Sequence, residues 1–251
     1  MNLELNDKVV IVIWDAMGLG SEISKLLAEE GAIPVIVGTD RNGISEVVKT
    51  IHDKKQGASY AITEVTIPEN CSEVVDSVLS AFGRIDGLVN NDFANEDALL
   101  KSSNYESLMG SIPKYLAHCY PIVNLVLPEL KKCNGAFVTI GSKTSGFVAT
   151  NGDNDELTAE WALELVSQSI RANAVIVSES FTSDYGKDSN TFANSENTTK
   201  EVTGEMPIEN RMPSGEEIAN TVVFLLSDKS NCATGQVVFL DGGNPHLKGV
   251  L

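Results

Sequence analysis

Residues 8–20 are Lys8-Val-Val-Ile-Val-Ile13-Trp-Asp-Ala-Met-Gly18-Leu-Gly20, a run of β-branched residues followed by a turn with two glycines. An uninterrupted β-branched run predicts a parallel strand that is buried on both faces. The two glycines predict a tight turn into a helix over about Ser21–Glu30. Strand, glycine turn and helix in this order are typical of a dinucleotide site, where the pyrophosphate lies at the helix N-terminus.

The same turn departs from a working dinucleotide site at two positions. A G-x-x-x-G-x-G turn would have its first glycine at position 14, where the backbone approaches the pyrophosphate, but the chain has Trp14 there. The indole fills that space, and Asp15 adds a negative charge where phosphates would lie. We therefore expect Trp14, Gly18 and Gly20 to be the remnant of a cofactor site, and we expect this chain to bind no cofactor.

Length and composition limit the class of protein. The 251 residues, 42% of them hydrophobic and 21% charged, suit one α/β domain over 1–251. The formal net charge of −17 argues against nucleic acid or an anionic membrane surface as a partner. The four cysteines lack C-x-x-C spacing and the three histidines are isolated, so we predict reduced core thiols and no metal site. The sequence has no run of about 18 apolar residues and no signal-peptide pattern, which predicts a cytoplasmic protein.

Strand and helix patterns alternate along most of the chain. Strands are predicted over 8–13, Ala32–Val37, Ser59–Val65, Ile85–Asn90, Ala136–Ile140, Arg171–Val177 and Gly235–Leu240. The other helices are predicted over about Ile44–Gln56, Pro68–Phe82, Ala98–Gly110, Lys114–Lys132, Asp155–Gln168 and Ser214–Ser227. The alternation predicts a single Rossmann-type domain, a doubly wound, mainly parallel seven-stranded sheet with helices on both faces. The polar residues 179–212 are too many for a plain connection and are predicted to form a lid or flap.

Several segments together resemble one known family. Besides residues 8–20, they are Phe82-Gly-Arg-Ile-Asp86-Gly-Leu-Val-Asn90-Asn91, Gly135-Ala-Phe-Val-Thr-Ile-Gly-Ser142, Arg211-Met-Pro-Ser-Gly-Glu216 and Thr234-Gly-Gln-Val-Val-Phe-Leu-Asp241-Gly-Gly243. In this order and spacing they resemble the short-chain dehydrogenase/reductase family over essentially the whole chain. In that family a Ser, a Tyr and a Lys four residues after the Tyr form the active site, often with an upstream Asn. The Tyr transfers a proton while NAD(P) takes the hydride.

The catalytic residues that this resemblance implies are mostly replaced. Ser142, at the end of its strand, matches the family's serine. Thr144-Ser-Gly-Phe147-Val-Ala-Thr-Asn151-Gly resembles the family's T-S-G-Y-x-A-S-K-G, with Phe147 at the Tyr position and Asn151 at the Lys position. Ser142 and Phe147 are much closer in sequence than the family's Ser and Tyr, which implies a deletion in the loop that holds substrate. Tyr115 stands where the upstream Asn is expected, so no catalytic set is intact.

Two further positions near the expected nicotinamide ribose also differ. Asn90-Asn91-Asp92-Phe93 replaces the family's N-N-A-G, so a carboxylate and an aromatic ring occupy positions that are small in the family. We therefore expect Asn90 and Asp92 to belong to the remnant cofactor site. Asp40 is predicted to be a turn residue, because the family's ribose-binding acid aligns with Gly38 instead.

These losses predict a non-catalytic subunit that assembles with an active paralogue, and the partner would then hold the NAD. A family precedent is the dehydrogenase for 2-(α-hydroxybenzyl)succinyl-CoA of anaerobic toluene degradation, which pairs an active subunit with an inactive one. Two alternatives stay open. One is an enzyme of changed chemistry, an atypical oxidoreductase or a halohydrin dehalogenase, although Phe147 and Asn151 do not offer the Y-x-x-x-R spacing of the dehalogenases. The other is a ligand-binding pseudoenzyme that uses the old cleft as a pocket.

The helices on either side of the fifth strand are predicted to bind the partner. Family members commonly pair these two helices with symmetry mates in dimers and tetramers. Apolar residues recur at helical spacing in both helices: Leu116, Cys119, Val123, Val126, Leu127 and Leu130 in the first, and Leu157, Trp161 and Leu165 in the second. One face of each helix must also cover the sheet, so part of this pattern belongs to the core.

Overall fold

Seven strands and six helices make up the part of the chain that the structure describes. This computed structural model describes residues 2–13, 18–91, 121–142, 162–177 and 213–240. The strands are β1 (Val9–Ile13), β2 (Ile33–Gly38), β3 (Ser59–Ile62), β4 (Gly87–Asn91), β5 (Ala136–Ser142), β6 (Arg171–Val177) and β7 (Val237–Leu240). The helices are α1 (Leu19–Glu29), α2 (Arg41–Asp53), α3 (Pro68–Phe82), α4 (residues 121–133), α5 (residues 162–166) and α6 (Gly215–Leu226).

The strands form one parallel sheet in the order β3-β2-β1-β4-β5-β6-β7. Every described pair of neighbouring strands is parallel. From β1 the chain proceeds outward to β3, then crosses back through α3 and continues on the other side of β1 with β4. The predicted doubly wound, seven-stranded sheet is therefore confirmed. This order puts the topological switch point between β1 and β4.

The central strand β1 is buried on both faces of the sheet. Val9, Ile11 and Ile13 pack into one core layer, together with side chains of α3, α4 and α5. The two residues between them pack into the opposite layer, with side chains of α1 and α6. Each such Val or Ile contributes about 1.5–3 kcal/mol when it is fully buried. The uninterrupted β-branched run is thus explained by helices on both sides.

Side-chain caps and backbone preferences set most of the helix ends. Pro68 begins α3, and Gly83 ends it in a left-handed conformation with φ 71°. Ser214 and Glu217 form the predicted reciprocal cap of α6: the Glu217 N–H donates to Ser214 Oγ at 3.2 Å, and the Ser214 N–H donates to Glu217 Oε2 at 2.7 Å.

Several predicted element ends are wrong by two to three residues. α2 begins at Arg41 instead of Ile44, because Asp40 caps it: Asp40 Oδ1 accepts the Gly43 N–H at 3.1 Å. Asp40 is therefore a helix cap and not a turn residue. β7 begins at Val237 because Gly235, with φ 69°, belongs to the preceding turn. Further shifts of this size are the start of α1 at Leu19, the end of α2 at Asp53, the end of β3 at Ile62, the start of β4 at Gly87 and the end of β5 at Ser142.

Two predicted elements lie outside the described residues. They are the helix over Ala98–Gly110 and the lid or flap over 179–212.

The prediction that the cysteines are core thiols holds for only some of the four cysteines. Cys71 is buried, Cys133 is half-buried and Cys232 is exposed, all three as free thiols, while Cys119 lies outside the described residues.

Most of the apolar stripe that was predicted to bind a partner faces the sheet instead. Val123, Val126 and Leu130 of α4 and Leu165 of α5 are buried in the core layer of β1, and Leu127 packs against it. These residues therefore belong to the part of the pattern that forms the core, because covering a parallel sheet takes the apolar face of each helix. Leu116, Cys119, Leu157 and Trp161 lie outside the described residues.

A buried guanidinium ties β6 to the end of α6. Arg171, the first residue of β6, is buried, and burial lowers its pKa. It donates four hydrogen bonds: Nη1 to Leu225 O at 2.6 Å and Ser230 Oγ at 2.9 Å, Nη2 to Leu226 O at 3.3 Å and Ser227 O at 3.0 Å. These bonds satisfy carbonyl groups that have no partner inside the helix.

We predict that Arg171→Met lowers the free energy of unfolding by about 1–3 kcal/mol, because the Leu226 carbonyl loses its donor while the carbonyls of Leu225 and Ser227 keep only those from Ser230. The matched control is Arg41→Met, at an exposed arginine, which should change stability by no more than about 0.5 kcal/mol. Urea denaturation followed by circular dichroism measures both. A loss below about 1 kcal/mol for Arg171→Met would contradict the prediction and would show that the remaining donors, such as Ser230, satisfy these carbonyl groups.

Candidate functional site

The carboxyl ends of β1, β4 and β5 mark the candidate site. These strands end at Ile13, Asn91 and Ser142, on either side of the switch point between β1 and β4. In open α/β sheets, ligands bind outside the carboxyl ends of the strands at such a point. The cofactor site predicted from the glycine turn therefore lies at the edge of the sheet where this topology commonly binds ligands.

Gly18 and Gly20 form the start of α1 beside this edge. Gly18 has φ 78° and ψ −8°, a left-handed conformation that a residue with Cβ adopts at a cost, and no side chain caps the helix there. Gly20 is buried in the first turn of α1. An uncapped helix N-terminus favours an anion, so this part keeps the geometry of a phosphate-binding turn. Trp14, which is predicted to block it, lies outside the described residues.

The end of β2 does not fit the adenosine ribose of NAD. NAD sites use an acidic side chain there to bind the ribose hydroxyls. In this chain β2 ends at Gly38, and the nearby Asp40 uses its carboxylate to cap α2. The next residue, Arg41, is exposed, and no partner is described for its guanidinium. A cation at this position suits the 2′-phosphate of NADP better than the bare ribose of NAD.

Two buried asparagines end β4. The side chains of Asn90 and Asn91 are 2% and 0% exposed, opposite Thr139 and Ile140 of β5. Asn90 Oδ1 and both polar atoms of Asn91 have no hydrogen-bond partner. An unmet buried polar group costs about 1–3 kcal/mol. The sequence pattern pointed to Asn90 as a site residue and not to Asn91, although two amides after the apolar pair Leu88-Val89 were a visible signal.

Ser142 is the last residue of β5 and pairs with Val177 of β6. It lies two residues beyond Ile140, the partner of Asn91, so the backbone of Ser142 lies at the same edge as the asparagines. The other positions predicted to be degenerate are Tyr115, Phe147 and Asn151, and together with Asp92 and Phe93 they lie outside the described residues. That these residues replace catalytic and ribose-binding residues of the family therefore stays a prediction, as does the loss of activity expected from it.

The described ranges contain no group of three His, Cys, Asp or Glu side chains that could hold a metal ion. Within the same ranges, no helix is long and apolar enough to cross a membrane.

The amino ends of the strands hold a buried carboxylate of a different kind. Asp86 Oδ2 accepts the Val9 N–H at 2.9 Å and the Arg84 Nε–H at 2.8 Å, while Oδ1 accepts from Arg84 Nη2 at 2.5 Å. Burial and the charge of Asp86 raise the pKa of the half-buried Cys133 to about 11. Both carboxylate oxygens of Asp86 are thus hydrogen-bonded.

The chain matches a known family along most of its length. The family model described as Enoyl-(Acyl carrier protein) reductase matches residues 14–244. The chain belongs to the short-chain dehydrogenase/reductase family. The family membership predicted from the motifs is thereby confirmed.

Similar proteins are named as reductases or dehydrogenases. The 3-oxoacyl-[acyl-carrier-protein] reductase of Thermotoga maritima is 28% identical, over 96% of this chain and 99% of its own length. The reductase of the same name from Chlamydia muridarum is 30% identical, over 97% and 99%. The crystal structure of Cj0485 dehydrogenase has a TM-score of 0.82 at 28% identity, covering 100% of this chain and 99% of that one.

We predict that Cys133 is alkylated far more slowly than the exposed Cys232. With a pKa of about 11, only about one Cys133 thiol in a thousand is ionised at about pH 8, and the thiolate is the nucleophile. The alkylation rate of Cys133 should keep rising about tenfold per pH unit up to about pH 10. Iodoacetamide labelling with peptide mass mapping measures both rates, and labelling in urea is the control. Equal rates in the folded chain would contradict the raised pKa.

Proposed function

We propose that this chain is a non-catalytic short-chain dehydrogenase that works as a subunit beside an active member of the family. The observation that carries the proposal is that the sequence contains no Y-x-x-x-K. The five tyrosines, Tyr60, Tyr105, Tyr115, Tyr120 and Tyr185, are followed four residues later by Glu64, Met109, Cys119, Asn124 and Ser189. Because this holds for every alignment of the chain with its family, no choice of register restores the proton-transferring pair.

The tyrosine that the described ranges contain is also badly placed for catalysis. Tyr60 lies on β3, the outermost strand, and its side chain is largely exposed. Two strands, β2 and β1, separate it from the crevice beside β4. A general acid must come within hydrogen-bond reach of the atom it protonates. Tyr60 therefore does not replace the family's catalytic tyrosine at this edge.

The residues around α1 and β2 support a chain that binds no NAD of its own. Gly38 leaves the ribose hydroxyls without an acidic partner, and Trp14 fills the position of the glycine that approaches the pyrophosphate. We therefore place the NAD in the active partner. This chain would support the partner's fold or shape its substrate pocket.

Exposed apolar side chains on the layer of α4 and α5 support a subunit contact. Leu163 and Val166 of α5 are 75% and 54% exposed, and Leu125 of α4 is 36% exposed. Both helices cover the same face of the sheet, so these three side chains belong to one outer layer. Single exposed apolar residues are ordinary, but several on neighbouring helices mark an interaction surface.

The partner's substrate class follows from the relatives and from the family precedent. The relatives are named for 3-oxoacyl groups on an acyl carrier protein. The dehydrogenase for 2-(α-hydroxybenzyl)succinyl-CoA, which pairs an active subunit with an inactive one, acts on a hydroxyacyl-CoA. Both are thioesters with an oxygen on the third carbon. We therefore propose a 3-hydroxyacyl or 3-oxoacyl thioester as the substrate of the complex, in a dimer or tetramer.

We predict that this chain co-purifies from its native host with an active short-chain dehydrogenase. The double variant Leu163→Glu/Val166→Glu should reduce recovery of the complex at least about tenfold, because two charges would be buried in an apolar contact. The control is Phe224→Glu on α6, which is 39% exposed on the opposite layer and should leave recovery unchanged. Native mass measurement of the purified sample gives the subunit composition of the complex. Recovery of this chain only as a monomer or a homo-oligomer would contradict the proposal.

A second candidate function is an NADP-dependent reductase of changed chemistry. The names of the relatives favour it, as do the uncapped N-terminus of α1 and the exposed Arg41 beside Gly38. In that case the chain would bind NADP through the phosphate-favouring end of α1 and the Arg41 cation.

Calorimetric titration separates the two candidates. For a non-catalytic subunit we expect no heat of binding with NAD(H) or NADP(H), because the pyrophosphate loses its close contact at Trp14. A low-micromolar dissociation constant for NADP that weakens at least about tenfold in Arg41→Met, the loss of one charged contact, would establish the second candidate. Low-micromolar binding of either nucleotide would overturn the claim that this chain holds no cofactor.

A further inference from the structure

A groove lies on the outer side of α1, between α6 and the end of α2. Four residues of α1 line it from one face of the helix, at positions i, i+3, i+4 and i+7: Glu22, Lys25, Leu26 and Glu29. Glu216 and Ala219 line it from α6, and Lys54, directly after α2, completes it. Its volume of about 280 Å³ lies at the small end of the range for ligand pockets, so the groove suits a short ligand.

This groove is separate from the crevice at the carboxyl ends of the strands. The core-facing side of α1 includes Leu19, Ile23 and Leu27, whose side chains are fully buried. The groove lies on the opposite side of the helix, and none of its lining residues belongs to the glycine turn or to the sheet. Binding in the groove therefore does not depend on whether the chain holds a nucleotide.

Both lysines of the groove already have carboxylate partners. Lys25 Nζ lies 3.0 Å from Glu22 Oε1, and Lys54 Nζ lies 2.8 Å from Glu29 Oε1. The four side chains are between 33% and 52% exposed, so salt screens these ion pairs less than it screens fully exposed ones. Each ammonium group is thus neutralised by its own carboxylate, and neither is left over to bind an anion.

Glu216 carries the unmatched charge of the groove. Within the part of the chain that the structure describes, its carboxylate has no hydrogen bond and no ion pair. The cap of α6 is made by Ser214 and Glu217 instead. The helix dipole favours a carboxylate in this first turn but leaves its oxygen atoms open to solvent. With three carboxylates and two ammonium groups, the groove therefore has one excess negative charge.

The floor of the groove is apolar. Leu26 is half-buried and packs against the core layer shared by α1 and α6, and Ala219 is 1% exposed. A hydrocarbon chain that lies over these two side chains removes apolar surface from water. The groove thus combines an unpaired carboxylate with a short apolar surface.

We propose that this groove binds a primary alkylammonium group, with the ammonium on Glu216 and the methylene chain over Leu26 and Ala219. The unpaired carboxylate selects a cation. A primary ammonium offers three N–H donors to carboxylate oxygens, and its stem packs along apolar surface. The proposal concerns α1, α6 and the end of α2 alone, and it does not depend on the complex with a dehydrogenase.

A free linear amine and a lysine side chain of another protein share this chemistry. The two probes are therefore n-butylammonium, which is a lysine side chain without its backbone, and lysine blocked at both backbone ends. n-Butanol is the matched control that keeps the stem and removes the charge. Tetramethylammonium keeps the charge but has neither N–H donors nor a stem. It measures the general attraction of cations to a chain with a formal net charge of −17.

The experiment titrates the full chain, labelled at its methyl groups, and follows the methyl signals of Leu26 and Ala219 in carbon–proton correlation spectra. These signals are assigned by their loss in Leu26→Met and Ala219→Ser. We expect n-butylammonium to shift both signals in a saturable manner, with a dissociation constant in the millimolar range, because one partly exposed ion pair and a short stem bind weakly. n-Butanol and tetramethylammonium should each bind at least about threefold more weakly.

The second probe separates the two sources of the ammonium. Blocked lysine that binds as tightly as n-butylammonium identifies a lysine side chain of a partner. A response to n-butylammonium alone identifies a free amine, because the backbone of the blocked lysine then does not fit beside the groove.

Variants test whether Glu216 is the contact. Glu216→Gln should weaken binding of n-butylammonium at least about threefold, the loss of one partly exposed ion pair. The matched control is Glu46→Gln on the exposed side of α2, which removes the same charge outside the groove and should leave the affinity unchanged. Glu216 is exposed and the Ser214–Glu217 cap is kept, so Tm without probe should stay within about 2 °C of the wild-type value.

Three results would overturn the proposal. They are the lack of a saturable shift at Leu26 and Ala219 with both amine probes, an affinity for n-butanol or tetramethylammonium equal to that for n-butylammonium, and equal losses of affinity in Glu216→Gln and Glu46→Gln. The isolated chain is used throughout, so these results leave the dehydrogenase complex standing. Likewise, a missing partner in the purification would leave the ammonium groove standing.

Discussion

The burial of β1 on both faces is the constraint on which the rest of the structure depends. Its side chains point alternately into two core layers, so helices must cover both sides of the sheet. Its hydrogen bonds with β2 on one side and β4 on the other place the switch point at its carboxyl end. The same strand therefore sets the two-layer core and the place where a ligand can bind. A charged residue within β1 would therefore destabilise the two-layer core and also disturb the edge where a ligand can bind.

The features of the fold that depend on local patterns of side chains could be predicted from the sequence. The β-branched run of β1, the proline start of α3 and the Ser214–Glu217 cap are local signals, and each occurs where it was expected. The start of α2 was missed because the helix was placed from its apolar spacing, which begins at Ile44, although Asp40 is itself a local N-cap signal. The apolar stripe on α4 could be divided between core and interface only with the structure in hand. A helical apolar period shows that one face is buried but does not show what covers it.

The candidate site was harder to predict, because its chemistry depends on contacts between distant parts of the chain. Ser142 could be placed at a strand end from sequence, and the structure locates it beside the edge of Asn91. The unmet amide of Asn91 could not be inferred, because a missing hydrogen bond becomes visible only when the neighbours are known. The hydrogen bonds of Arg171 to the end of α6 likewise join residues that are far apart in sequence.

The two edges of the sheet differ in how well their described buried polar groups are hydrogen-bonded, and this difference bears on which residues the fold needs for stability. At the amino ends, Asp86 and Arg171 are buried with several hydrogen bonds each, so changes there would cost stability directly. At the carboxyl ends, Asn90 Oδ1 and both polar atoms of Asn91 lack partners, so the hydrogen bonds of these two side chains add little to stability. Catalytic residues at the carboxyl edge can therefore be replaced while the sheet persists. Selection on assembly or on a new ligand can then act on a scaffold whose stability comes from elsewhere.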